Sequence, residues 1–182
     1  MGTPRVVETG PGRPALSLTG REAALIVLSG TMGLDVTSLR EGDAAIGPPG
    51  LLVPLAGDGC ARLLVEERGE PGRPEAVRIG RDDLVGAGLP GVTGIRFLHR
   101  SAGGVLLRLG PPPGVRWLVT GLRAVAVFSG KLLLYEAGGI RSLSAGDCAL
   151  PDDPAGTIPL QAGNDSAVAL ALAAPGIHVS IG

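Results

Sequence analysis

Short apolar runs punctuate the chain, each bounded by Gly, Pro, Asp or Asn. They include Ala23–Leu28, Leu51–Leu55, Arg62–Val65, Val105–Leu109, Val125–Phe128, Lys131–Tyr135 and Ala167–Leu172. Each is of strand length and rich in Val, Leu and Ile, with turn residues recurring at intervals of about 8–12 positions, the pattern of an all-β sandwich or barrel. One helical turn is predicted around Arg81–Val85, where Arg81-Asp82-Asp83-Leu84 follows a glycine. Ala167–Leu172 is read as a strand despite its alanines. Asn164-Asp165-Ser166 precede it and Pro175-Gly176 follow it. The polar stretch Glu66–Asp83 reads as a connector.

An internal repeat organises these runs. Ala24-Leu-Ile-Val-Leu-Ser-Gly30 matches Ala124-Val-Ala-Val-Phe-Ser-Gly130. Ser38-Leu-Arg-Glu-Gly-Asp43 matches Ser142-Leu-Ser-Ala-Gly-Asp147, and Pro48-Pro-Gly50 matches Pro154-Ala-Gly156. Gly57-Asp-Gly-Cys-Ala61 matches Gly163-Asn-Asp-Ser-Ala167. The matches keep their order, so two copies of one β unit are expected: residues 1–74, a degenerate half, and residues 75–182, a barrel, packed as closely as one domain. Asp43 and Asp147 each follow a repeat glycine, which points to hydrogen bonding within a turn.

Composition narrows the function classes. Gly (31) and Pro (16) are abundant, yet 45% of the 182 residues are hydrophobic and 18% charged, so a core can form. It will be aliphatic, because the chain has only two Phe, one Tyr and one Trp. The net charge of −1 and the scarcity of aromatics argue against nucleic acid as a partner, and the charge also argues against a membrane surface. The longest apolar stretch, Ala167–Pro175, is far below the ~20 residues that span a bilayer. No signal-peptide run opens the chain, so a cytoplasmic location is expected. Cys60 and Cys148 make no disulfide framework, and with His99 and His178 they form no zinc spacing. Walker and Gly-x-Ser-x-Gly motifs are absent.

The repeats resemble the cupin superfamily of small double-stranded β-helix (jelly-roll) barrels, in a two-cupin arrangement. The resemblance rests on Gly42 followed after five residues by Pro48-Pro49-Gly50, and on Gly146 before Pro154-Ala155-Gly156. The Val-Leu-Ser-Gly and Leu-x-x-Gly-Asp segments support it. Cupins usually hold a metal with histidines and a glutamate. Counted from Gly30, those positions fall on Leu16, Leu18 and Ala23, with the late histidine at Val53. Counted from Gly130 with a four-residue gap, they fall on Arg116, Leu118 and Arg123, with the late position at Pro159. Neither copy keeps a ligand side chain, so no metal and no cofactor are expected in either unit.

The resemblance then implies a filled first barrel and an open second one. Arg116 and Arg123 replace family ligands, and two inward guanidinium groups require an anion. A three-residue gap would instead turn Trp117 and Val119 inward, leaving Arg123 in place. Arg116, Arg123, His99 and Tyr135 are the candidate catalytic residues, His99 as a general acid or base. Arg108, Trp117, Leu118, Thr120 and Phe128 are the candidate substrate contacts. The expected partner is a small, anionic or carbonyl-bearing molecule. By analogy with metal-free barrel cyclases of bacterial small-molecule metabolism, cyclisation or isomerisation would suit such a site. The alternatives are a non-catalytic ligand-binding or regulatory protein, and a structural dimer with filled barrels. A homodimer is expected, because cupins commonly pair through strands.

Overall fold

The structure is a computed structural model and describes residues 2–34, 37–53, 59–82, 87–89 and 91–182. It is all-β, as expected. The one helical element among the described residues is a single 3₁₀ turn at Pro49–Leu51. No helix among them is long and apolar enough to cross a membrane. By compactness the chain divides into Met1–Leu84 with Ser101–Gly103, and Val85–Arg100 with Gly104–Gly182. The expected boundary at 74/75 lies before β6, which pairs within the first unit.

The first unit contains β1 (Arg5–Thr9), β2 (Glu22–Leu34), β3 (Thr37–Arg40), β4 (Ala44–Gly47), β5 (Ala61–Arg68) and β6 (Val77–Ile79). These form an antiparallel sheet ordered β1-β5-β2-β4-β6, with β3 paired to β2. Alternation along β2 and β5 sends Ala23, Leu25, Val27, Leu63 and Val65 into one core with Leu39, Ala45 and Leu52. The expected connector from Glu66 begins later, because β5 runs through to Arg68 and β6 forms inside the polar stretch. Leu51–Val53, the described part of the expected strand 51–55, are not in a strand. Pro49 stands near the start of the 3₁₀ turn, where its fixed φ and missing N–H favour a turn over a ladder. Leu51 closes that turn, and Leu55 lies outside the described residues. Arg81 and Asp82 make a turn, while Asp83–Val85 lie outside the described residues.

The second unit contains β7 (Ala87–Leu89), β8 (Val92–Ser101, whose last residue belongs to the first unit), β9 (Gly104–Leu109), β10 (Arg116–Ser129), β11 (Lys131–Glu136), β12 (Gly139–Ser144), β13 (Cys148–Ala149), β14 (Thr157–Ala162) and β15 (Val168–Ile181). The sheet runs β12-β11-β14-β10-β15-β9-β8-β7, with β13 paired to β10. Val105, Leu107, Leu109, Trp117, Val125, Leu132, Ile158 and Leu160 share a single aliphatic core.

The repeat is structural, and its hydrogen bonds coincide. The Val27 N–H donates to the Asp43 carbonyl at 2.9 Å and the Gly42 N–H to the Val27 carbonyl at 2.9 Å. In the second copy, Val127 donates to Asp147 and Gly146 to Val127, again at 2.9 Å. The repeated aspartates close their turns as expected. Asp43 Oδ2 accepts the Arg40 N–H at 3.1 Å, and Asp147 Oδ2 accepts the Ser144 N–H at 2.8 Å. Gly57 and Asp58 of the last repeat segment lie outside the described residues.

One carboxylate anchors the N-terminal segment. Glu67 accepts the Thr19 N–H at 2.6 Å, the Thr19 hydroxyl at 2.8 Å, the Gly20 N–H at 3.0 Å and Arg5 Nη1 at 2.6 Å. The Thr19 backbone N–H leads the causes that hold this carboxyl well below its ordinary 4.5, at about 2. A pKa lower in the folded state stabilises the fold above the unfolded value and loses that effect as pH falls through the folded one. Glu67→Gln is therefore expected to lower Tm near neutrality. The gap to the parent should close between pH 4.5 and about 2. Thermal melts across that range check it, and a gap of constant size would remove the carboxylate as the cause.

Candidate functional site

Side-chain direction along β10 decides which expected site residues can meet. Trp117 and Val119 lie in the core of the second unit. Arg116, Leu118 and Thr120 alternate with them and occupy the opposite face. This is the three-residue-gap outcome, and it corrects the expectation that Arg116 points into the barrel. Arg116 is exposed instead, with its guanidinium 4.2 Å above the Tyr135 ring. The Tyr135 hydroxyl donates to Gln161 Oε1 at 3.1 Å, and the Thr120 and Thr157 hydroxyls share a 2.6 Å hydrogen bond.

The remaining candidates lie on β8, β9 and β10. Arg123 is buried at a register shift between Leu122 and Ala124 that follows Gly121. Arg108 alternates with core residues Leu107 and Leu109 on β9, and its Nη1 is buried without a hydrogen-bond partner. His99 is buried on β8, and Phe128 is buried beside core residue Val127. Trp117 and the Arg116, Leu118, Thr120 set lie on opposite faces of one strand, so those four do not line one space together. Glu136 and Asp152 both pair with Arg141, at 3.0 and 3.2 Å.

The family's metal-binding positions carry no donors that fit a metal. In the first unit Leu16 and Ala23 are core residues, Leu18 packs against that core, and Val53 is half exposed. In the second, Pro159 pairs with Leu118 across β10 and β14. Among the described residues no group of three or more His, Cys, Asp or Glu side chains is placed to hold a metal ion.

The first unit, expected to be filled, holds a cavity of about 600 Å³. Leu34, Thr37, Leu39, Ala45, Gly50, Leu51, Val53, Ala76, Val77 and Arg78 line it. In the repeat, Leu34, Leu39 and Ala45 correspond to Leu134, Leu143 and Ala149, which pack with Ile158, Leu160 and Ala162 of β14. In the first unit the matching Leu34, Leu39 and Ala45 line the cavity instead. Leu51 and Val53 are exposed at 52% and 48%, which is unusual for residues beside a core.

Arg78 is the charged group among the described lining residues, and it stands at the rim, 3.4 Å from Asp43 Oδ2. Neither Arg78 nor the cavity emerged from the sequence. Val77-Arg78 sits in a stretch too polar to read as a strand, and nothing in the local pattern ties it to Leu34 or Leu39. A period-2 reading could have found Glu66 and Arg68, two residues apart at the end of an apolar run.

No family model matches the sequence, and no curated protein matches it. Solved structures do. Ylba from E. coli shares 17% identity over 93% of this chain and 76% of that one, with a TM-score of 0.60. The cupin 2 conserved barrel domain protein from Leptotrichia buccalis shares 14%, over 96% and 80%, at 0.58. AerE from Microcystis aeruginosa shares 12%, over 93% and 86%, at 0.59. At these identities the likeness is one of fold, and the fold is that of the cupins.

Proposed function

On this cupin fold, we propose a metal-independent protein that binds a small organic molecule in the cavity of the first unit. The observation that carries the reading is the cavity itself. Its volume falls within the range of ligand sites, and its walls are apolar with few polar groups. Among the described lining residues, Thr37 and Arg78 bear the polar side chains. No carboxylate, imidazole or thiol stands among them to carry a proton. Binding or sensing therefore fits the site better than the cyclisation or isomerisation expected of the second unit. An exposed thiol at Cys60 suits a reducing cytoplasm, which belongs to the same proposal.

The test uses N-phenyl-1-naphthylamine, a neutral fluorophore that brightens in apolar sites. Saturable binding with one site per chain is expected. Ala76→Trp, an exposed lining position, should weaken it by about tenfold or more through steric exclusion. An unchanged affinity in that variant would sink the cavity reading. Native mass spectrometry of the purified chain reads any retained ligand, and also whether the chain pairs with a second copy, as proposed.

A further inference from the structure

We infer that the ligand of this cavity is an apolar organic anion, a small carboxylate, whose head group is taken by Arg78. The inference rests on the cavity reading and names the ligand class of that site. Arg78 is the charged group among the described lining residues, and the wall beside it is built from Leu34, Leu39, Leu51, Val53 and Val77. A molecule with an apolar body and one negative end matches that arrangement, since a buried body gains from leaving water and a guanidinium holds a carboxylate by forked hydrogen bonds.

The charge of Arg78 is only partly engaged within the chain. Its partner Asp43 is 2% exposed and already committed. Asp43 Oδ2 accepts the Arg40 N–H at 3.1 Å, and Oδ1 accepts the Arg81 N–H at 2.8 Å. What reaches Arg78 is one long contact of 3.4 Å to a single Nη2, with the Arg78 side chain 45% exposed. An incoming carboxylate can therefore engage the rest of the guanidinium fork without breaking a tight pair. The second repeat copy shows what Asp43 does without this role. There Asp147 is exposed and caps its own turn through the Ser144 N–H.

The experiment is displacement of N-phenyl-1-naphthylamine by octanoate and by octan-1-ol, which share a chain and differ in charge. Octanoate is expected to compete more tightly than the alcohol by about tenfold, in the range of a charge-assisted contact. Arg78→Met should erase that preference, weakening octanoate by about tenfold while leaving the alcohol and the fluorophore within about twofold. Arg78→Lys should keep part of the preference, because it keeps the charge and loses the fork. Added salt should weaken octanoate alone. Equal competition by both compounds in the parent, or an equal effect of Arg78→Met on both, would overturn the inference and leave the cavity reading intact. Failure of the fluorophore to bind the parent overturns both.

Discussion

Arg68→Ala is expected to cost about 3–5 kcal/mol of stability, the largest single-residue loss in the first unit. Arg68 is 1% exposed, with Glu22 at 1% and Glu66 at 0% beside it. Its Nε donates to Glu66 Oε2 at 2.8 Å, and its Nη1 donates to Glu22 Oε2 at 2.8 Å and to Ser101 Oγ at 3.3 Å. The Ser101 hydroxyl donates to Glu22 Oε2 at 2.6 Å. Removing the guanidinium takes from two buried carboxylates the cation they share, and the loss of a buried ion-pair partner is what makes such truncations severe. Urea unfolding checks it. A companion variant, Arg68→Met with Glu22→Gln and Glu66→Gln, should recover more than half of the loss, because neutral side chains of similar length carry no desolvated charge. A loss below about 1 kcal/mol in Arg68→Ala would place the cluster among solvent-exposed pairs instead.

Gly130→Ala and Gly30→Ala are expected to destabilise their units by about 2–4 kcal/mol each, from a left-handed backbone plus a steric collision. Gly30 has φ +80° and Gly130 has φ +70°. A Cβ at Gly30 would run into the Cys60 carbonyl oxygen, and one at Gly130 into the Ser166 carbonyl oxygen. Cys60 and Ser166 match each other in the repeat, so both copies use one device: the backbone just ahead of a neighbouring strand occupies the space of the missing side chain. Gly146→Ala separates the two causes. Its φ is +89° with nothing near its Cβ position, so only the backbone cost of about 1–2 kcal/mol should appear. Denaturant melts of the three variants check the order, and a Gly130→Ala loss no larger than that of Gly146→Ala would remove the collision from the account.

These glycines also mark what could be read without coordinates. The repeat placed Gly30 opposite Gly130 and Asp43 opposite Asp147, and both pairs do the same backbone work. Turn chemistry is local, so a few adjacent residues suffice to specify it. Counting from the repeat glycines by the cupin pattern reached the positions that hold a metal in cupins, where Leu, Ala, Val, Arg and Pro stand. That finding needs residue identity alone, because such side chains offer a metal no suitable donor.

The site was not legible, for two physical reasons. On a strand, a shift of one residue exchanges the faces, so an ambiguous three- or four-residue gap left Arg116 and Trp117 competing for the core. Packing decided it, with the indole inside and the guanidinium over Tyr135. The cavity has a different origin. It is bounded by Leu34, Leu39 and Ala45 on one side and by Val77 and Arg78 on the other, segments joined through the β4–β6 pairing and not by proximity in the chain. Its lining brings together residues up to 44 positions apart, from Leu34 to Arg78.

The sequence by itself therefore determined the all-β class, the repeated β pattern, the turns that join its strands and which residues stand at the positions that hold a metal in cupins, because each follows from residue identity or short-range pattern. Only the tertiary structure decided that the first unit holds a cavity, which arginine stands beside it, and that Glu22, Glu66, Arg68 and Ser101 converge. Those outcomes depend on side-chain facing and on pairings between distant strands, which local pattern does not encode.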